Sequence, residues 1–328
     1  MAQKIFQKQL IMRRVLYSLV PIFLFSIYLY GWRVLAVVAV TFALGILTEY
    51  VMEKRKNKKV SEAVLVTSAL YSLSMPPAVP LWIVAVGIVF AVFIGKEVYG
   101  GFGRNIFNPA ITGRLFIYIT FATVLATSWM VPGAFGTAGA AGVDALSAAT
   151  PLAQMRAGQM PEWTDLLIGT RGGSIGESST ILIVAAAVYL IWTKTAQWRL
   201  IVSTVLSAGI LTSIFYFTGL APNLPPHLAM MSGSILYVSV FMTTDPVSAP
   251  NQKNSQWVYG ALIGTVTILV RTFSGFPEGT SFGILMGNVF ASLIDELMPK
   301  PKKKKAAKPA PKKKSEDSAA PKTKEASA

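Results

Sequence analysis

The stretch Val34-Leu-Ala-Val-Val-Ala-Val-Thr-Phe-Ala-Leu-Gly-Ile-Leu47 contains no charged side chain, and a second stretch, Ile181–Trp192, has the same character. Apolar runs of about 17–25 residues are long enough to cross the hydrocarbon core of a bilayer as helices. Of the 328 residues in the chain, 53% are apolar and 14% are charged, which leaves too few polar groups to cover a soluble domain. The composition therefore predicts an all-α integral membrane protein.

Apolar segments of this kind recur along the chain and predict about ten transmembrane helices. The first of them resembles the apolar part of a secretory signal, but no small-residue cleavage site follows it and further apolar segments do. We therefore interpret it as the first span. The predicted spans are residues 15–30, 34–51, 63–75, 80–96, 110–130, 179–193, 200–219, 228–243, 256–271 and 281–298.

Basic residues precede the first predicted span and follow every second one, whereas the long segment 131–178 has only Arg156 and Arg171. Cytoplasmic loops of membrane proteins are enriched in Lys and Arg. The pattern predicts a multi-pass protein with both termini in the cytoplasm and segment 131–178 on the outer side. The basic positions are Lys4, Lys8, Arg13, Arg14, the loop 53–59, Lys96, Arg104, Lys194, Arg199, Lys253 and the C-terminal lysines.

Five spans in each half would make the second half enter the membrane from the opposite side, as in two inverted five-helix repeats. The symmetry in the sequence is limited to two Pro-Pro turns, Pro76-Pro77 and Pro225-Pro226, and two short spans, 63–75 and 228–243. Helices shortened or tilted for packing would give the same pattern, so both interpretations stay open.

The charge of the chain is concentrated at its C-terminal end. Residues 300–328 contain eleven lysines and three acids, which supplies more than half of the net charge of +15. Such a segment cannot build an apolar core. We expect a cytoplasmic N-terminus over 1–14, a membrane domain over 15–298 and a disordered lysine-rich cytoplasmic tail over 299–328. Membrane lipid headgroups are the favoured partner of this tail, and we expect no nucleic-acid binding.

The chain has no cysteine and one histidine, His227. Cysteine-ligated iron–sulfur clusters, the usual structural zinc sites and haem held between two histidines of this chain are thereby excluded. If the protein carries electrons, it must do so on an organic cofactor. We predict neither a metal site nor a catalytic residue.

The first candidate site is the segment 95–110, which reads GKEVYGGFGRNIFNPA. Asn108 is followed by Pro109, which disfavours the helical conformation at Asn108 and predicts a helix that starts near Pro109. The amides at that start could hold an anion. A tight connection between two membrane helices explains the same glycines.

Two further segments contain polar residues that are candidates for a functional site. In segment 144–152, which reads DALSAATPL, spacing alone identifies no chemistry, and a loop of small residues is the plain interpretation. In segment 241–247, Asp245 lies at the end of a predicted span, where an acid is costly and is a functional candidate. Asp245 could equally end one helix or cap the next.

Together these segments resemble the NqrB/RnfD family, which supplies membrane subunits to the Na⁺-translocating NADH:quinone reductase and to the Rnf electron transport complex. The resemblance extends from Lys8 to Leu297 and leaves out only the lysine tail. Its motifs are Lys8-Gln9 with Met12-Arg13-Arg14, Pro76 through Gly101, Asn105–Ala110, Ser147–Leu152, Phe241–Pro246, Tyr259–Gly264 and Pro277-Glu278-Gly279.

The resemblance implies that a flavin transferase attaches FMN covalently to Thr150 through a phosphoester bond. The attachment motif of the family ends in threonine, and here it reads Ser147-Ala148-Ala149-Thr150, with Asp144 upstream. Ala148 replaces the usual glycine, which is a small departure.

The family also implies a non-covalent flavin, riboflavin, within the helices of the reductase subunit. The candidates for cofactor contact are Arg104, Asn105, Asn108 and Arg114. Glu97 and Asp245 are the candidates for the ion path.

The short N-terminal segment favours the Rnf-type branch, which exchanges electrons between ferredoxin and NAD while it translocates Na⁺ or H⁺. Ile94-Gly95-Lys96-Glu97 resembles the reductase branch, which is the alternative. In either case we expect a subunit of a multi-subunit oxidoreductase in the plasma membrane of a bacterium or archaeon. A non-redox transporter or channel, or a membrane scaffold, is the more distant alternative.

Overall fold

The computed structural model describes residues 6–133, 135, 149–274, 276 and 279–299. The predictions for Asp144, Ser147 and the lysine tail lie outside these residues. The described elements belong to one compact unit, Met1–Met298, and are almost all helical. A second unit, Pro299–Ala328, lies outside the described residues from residue 300 onward.

Each predicted span contains a helix. The helices are α1 (Leu10–Tyr30), α2 (Trp32–Arg55), α3 (Ala63–Leu73), α4 (Leu81–Val92), α5 (Pro109–Thr120), α6 (Ala122–Ala126), α7 (Pro151–Arg156), α8 (Trp163–Ile168), α9 (Thr180–Trp192), α10 (Trp198–Phe217), α11 (Pro226–Met231), α12 (Ile235–Phe241), α13 (Lys253–Phe273) and α14 (Thr280–Leu297). A π-helical segment, Phe93–Glu97, continues α4, and two short parallel strands pair, β1 (Phe6–Gln7) with β2 (Val60–Ser61).

Three of these helices, α1, α2 and α10, are long and apolar enough to cross a membrane by length and composition. Large apolar side chains point outward from them: Leu24 is 63% exposed and Phe217 is 82% exposed. The shorter helices α3 and α9 are also apolar. A multi-pass membrane protein is the class that this arrangement supports, and the number of ten crossings stays a prediction.

The predicted span 228–243 is not one helix. Its first part is α11 and its second part is α12, and Gly233 separates them with a φ of 66°. Arg271 of α13 donates from Nη1 to the carbonyl oxygens of Ala229 and Ser232, each at 3.3 Å. The break is tolerated because a buried cation satisfies carbonyls that a continuous helix would have satisfied itself.

The packing order is similar in the two halves. Helix α2 packs against α4 and α4 against α5, while α10 packs against α13 and α13 against α14. Gly264 lets α10 approach α13 closely, because a Cβ there would lie 2.6 Å from the carbonyl oxygen of Thr204. The order of contacts is what a repeat predicts, and the inverted orientation of the halves stays a prediction.

Candidate functional site

Two cavities contain Asn105, Asn108, Thr150 and Asp245 of the predicted site residues, and they lie at opposite ends of α1. The Asn108 cavity is bordered by Met12, near the start of α1. The Thr150 cavity is bordered by Arg171. The hydroxyl of Tyr30, the last residue of α1, donates to the carbonyl oxygen of Arg171 at 3.3 Å. At 1.5 Å per residue, Met12 and Tyr30 are separated by about 27 Å along the helix.

The Asn108 cavity is built around the start of α5. Asn108 is extended, and its Oδ1 accepts hydrogen bonds from the backbone N–H groups of Ala110 at 3.0 Å and Ile111 at 3.4 Å. Its own N–H donates to Oδ1 of Asn288 at 3.0 Å. The predicted helix start at Pro109 is confirmed, and the side chain of Asn108 is occupied as its cap.

The same cavity brings Asn105 and Asp245 to Asn108. The Nδ2 group of Asn105 donates to the carbonyl oxygen of Phe107 at 3.0 Å, and among the described residues its buried Oδ1 has no hydrogen-bond partner. Asp245 accepts from the N–H of Val247 and from Oγ of Ser248, both at 3.0 Å. Asp245 therefore stabilises the turn after α12 and also borders the cavity.

Lys96 also borders the Asn108 cavity, although the sequence suggested a cytoplasmic-loop charge there. It is 1% exposed, and its Nζ donates to Oε2 of Glu49 at 2.5 Å and to Oγ of Ser61 at 2.7 Å. The other oxygen of Glu49 accepts from the N–H of Ser61 at 2.8 Å. Sequence reasoning missed Glu49, because a single acid near the end of an apolar segment resembles an ordinary helix-end charge.

The other predicted residues lie outside the Asn108 cavity. Glu97 pairs with Lys56 of the loop after α2 at 2.8 Å, and Arg104 is exposed. Arg114 is buried, and its Nη1 donates to Oε1 of Glu177 at 2.9 Å. Since Glu177 borders the Thr150 cavity, the structure places Arg114 near that second site and away from Asn105.

Thr150 is positioned by the same local chemistry as Asn108. It is extended, Pro151 follows it as the first residue of α7, and its Oγ1 accepts from the N–H of Ala153 at 3.3 Å. The residue is half-buried at the edge of its cavity. The cavity is lined by Trp129, Thr150, Pro151, Leu152, Arg171, Gly172, Gly173, Glu177 and Gly233.

The segment 171–178 forms another wall of the Thr150 cavity, and it is fixed to two helices. The N–H of Gly176 donates to the carbonyl of Leu73 at 2.6 Å, and Oγ of Ser26 donates to the carbonyl of Ile175 at 2.7 Å. Burial lowers the pKa of Arg171 to about 10, so the guanidinium remains cationic at neutral pH. Sequence reasoning missed Arg171 and Glu177, because lone charges in a long loop are usually solvated.

A family model described as the NQR2, RnfD, RnfE family matches residues 3–304. The chain belongs to this family. The resemblance noted in the sequence is thereby confirmed, and the family accounts for the mostly helical, apolar fold. Residues 147–150, the candidate attachment motif, lie inside the matched range.

Similar curated relatives are the NqrB subunits of Na(+)-translocating NADH-quinone reductases. The protein of Azotobacter vinelandii is 37% identical over 269 residues, which is 80% of this chain and 66% of the relative. The protein of Chromohalobacter salexigens is 36% identical over 279 residues, which is 84% of this chain and 67% of the relative. The chain thus spans about two thirds of their length. These relatives favour the reductase branch of the family over the Rnf branch that we expected.

Proposed function

We propose that this chain is a flavin-bearing membrane subunit of a Na⁺-translocating NADH:quinone oxidoreductase complex in a bacterial or archaeal plasma membrane. Thr150 would carry FMN covalently, and the Asn108 cavity would bind a second flavin, riboflavin. The observation that carries the proposal is the position of Thr150, which is half-buried and borders a cavity that also contains a buried cation. The other subunits of such a complex would supply the nucleotide reaction.

The residues at Thr150 fit a phosphate-linked cofactor. Thr150 Oγ1 would bond to the phosphorus of the FMN half of an activated donor, the phosphoanhydride bond of that donor would break, the other phosphate-bearing half would leave, and the hydroxyl proton would pass to the flavin transferase. As an ester, Oγ1 keeps a lone pair for the N–H of Ala153. Trp129 and Leu152 give the cavity an apolar wall that excludes water. FMN supplies reversible electron transfer when bound.

The Asn108 cavity fits an uncharged ring system. Apolar side chains such as Val15, Leu70 and Phe241 line most of it, and a few polar groups converge on it. This combination is typical of small-molecule sites. The unpartnered Oδ1 of Asn105 offers a hydrogen-bond acceptor to a ligand N–H or O–H group.

The charges around the Asn108 cavity give a reason for cation uptake. Lys96 is already paired with Glu49, and Asp245 adds a further carboxyl group. Negative charge gained in such a low-dielectric site is costly unless a cation accompanies it. Coupling of electron flow to movement of Na⁺ or H⁺ then follows from electrostatics.

The test is in-gel fluorescence of the denatured protein after co-expression with the flavin transferase. We expect a fluorescent band for the unaltered chain and for Thr164→Val, a half-buried threonine in α8 that serves as the matched control, and a dark band for Thr150→Val. A dark band from the unaltered chain under these conditions would contradict the covalent flavin. It would favour a non-redox transporter or a scaffold instead.

A further inference from the structure

Arg171 is an unusual residue for a loop between helices. It lies between α8 and α9, yet it is 8% exposed and borders the same cavity as Thr150. A buried guanidinium is retained only where its charge and its donors are used. A buried arginine does not contribute to solubility, so Arg171 must have another role in this cavity.

The guanidinium is held in one orientation by backbone carbonyl groups. Nε donates to the carbonyl of Ser178 at 3.1 Å and Nη2 to the carbonyl of Glu177 at 2.9 Å. Among the described residues, none accepts a hydrogen bond from Nη1. The hydrogen bonds to carbonyls fix the plane of the group without cancelling its charge.

The charges of the described residues leave this cation without an ion pair of its own. The nearest acid along the chain, Glu177, has its Oε1 2.9 Å from Nη1 of Arg114. Within the described ranges, no carboxylate oxygen lies within 4.0 Å of the Arg171 guanidinium. Arg114, Arg171 and Glu177 thus bring two cations and one anion to this region, which favours an anionic ligand.

We propose that Arg171 binds the phosphodiester anion that links FMN to Thr150, an inference that rests on the proposed function. A planar, fixed guanidinium matches the oxygens of a phosphate group. Gly173 leaves space beside it, since apart from its chain neighbours no described residue has an atom within 4 Å of the position that a Cβ would occupy. Arg171 is thus a positioning residue, which orients the cofactor at its phosphate and takes no part in electron transfer.

The experiment compares binding of free FMN and riboflavin by protein made without the flavin transferase, and binding is followed by quenching of flavin fluorescence. All variants carry Val15→Trp, which fills the Asn108 cavity so that the signal comes from the Thr150 cavity alone. Riboflavin lacks the phosphate. We expect Arg171→Gln to weaken FMN binding about tenfold, as for loss of one charge-assisted hydrogen bond, and to leave riboflavin binding unchanged. Arg171→Lys keeps the charge and should retain most of the preference for FMN. Arg156→Gln, at an arginine outside the cavity lining, is the matched control.

The outcomes separate the possible roles of Arg171. Equal losses for both flavins, with no rescue by lysine, would mean that Arg171 only supports the loop, and this would overturn the inference. Unchanged FMN binding in Arg171→Gln would overturn it as well. A dark band from the unaltered chain after co-expression with the transferase would overturn the attachment at Thr150, while the FMN-to-riboflavin comparison would still decide the role of Arg171.

Discussion

The hydroxyl of Tyr30 lies 3.3 Å from the carbonyl oxygen of Arg171, and this contact joins the end of α1 to the wall of the Thr150 cavity. The two residues are separated by 141 positions in the chain. The same hydroxyl lies 3.4 Å from Oγ of Ser178. The loop that carries Arg171 is therefore fixed to a membrane helix at both of its ends.

Tyr30→Phe should lower the free energy of unfolding by about 1 kcal/mol, because it removes this buried hydrogen bond and keeps the ring. Thermal unfolding in detergent measures the change. Tyr17→Phe is the control, since Tyr17 lies on the same helix and is 63% exposed. Equal midpoints for Tyr30→Phe and the unaltered chain would show that the contact contributes nothing.

Lys96→Met and Glu49→Leu should each destabilise the protein by about 3–5 kcal/mol, because each leaves a buried charge without its partner. The double variant Lys96→Met with Glu49→Leu should be more stable than the lysine variant alone. The midpoints of thermal unfolding of the unaltered chain, the two single variants and the double variant form a double-mutant cycle. Strictly additive effects would contradict the ion pair.

Gly113→Ala should destabilise the contact between α4 and α5 by about 1–3 kcal/mol through overpacking. The added Cβ would lie 2.6 Å from the carbonyl oxygen of Gly87 and 2.6 Å from Cβ of Ala91, and a backbone oxygen cannot move aside. Gly209→Ala is the matched helical control. Outside its own helical turn, no described residue has an atom within 4 Å of the new Cβ, so alanine should stabilise α10 by about 1 kcal/mol.

Lowering the pH should reveal how much Glu62 contributes to the stability of the folded protein. Its side chain accepts hydrogen bonds from Arg13, which lowers the pKa of Glu62 below its ordinary value of 4.5. When the pKa of a carboxyl group is lower in the folded state than in the unfolded state, ionisation of that group stabilises the folded state. This stabilisation is complete above the pKa of the unfolded state and is lost as the pH falls through the pKa of the folded state. Unfolding midpoints should therefore fall less steeply below about pH 5 in Glu62→Gln than in the unaltered chain.

The predicted orientation can be tested with single cysteines, since the chain has none of its own. In intact cells an impermeant thiol reagent should label Gln159→Cys, in the predicted outer segment, and should not label Lys58→Cys. Both positions are exposed. Labelling of Lys58→Cys from outside, with Gln159→Cys labelled only after lysis, would reverse the assigned topology.

The positions of the helices could be predicted from the sequence, because apolar periodicity is a local signal. The first residue of one helix could also be predicted, because an Asn-Pro pair acts locally. The start of α5 at Pro109 is such a case. The break of the eighth predicted span at Gly233 could not be predicted, since it depends on Arg271, which is 39 residues from Ser232 in the chain. A glycine inside an apolar run is equally compatible with a continuous helix.

The candidate site was predicted in part for the same reason. Asn105, Asn108 and Asp245 were marked by local motifs, and the fold brings them together in one cavity. Glu49, Arg171 and Glu177 were missed. Their burial arises from contacts between distant parts of the chain, and no local pattern distinguishes a buried loop charge from a solvated one.

Helix α1 contains a proline, Pro21, about half-way between Met12, which borders the Asn108 cavity, and Tyr30, which contacts Arg171 of the Thr150 cavity. A proline has no N–H to donate to the carbonyl four residues earlier, here that of Tyr17. The hydrogen-bond ladder of this continuous helix is therefore interrupted between Met12 and Tyr30. A bend of α1 at Pro21 would break no hydrogen bond at that position, so the helix could tilt at one cavity without displacing the wall of the other.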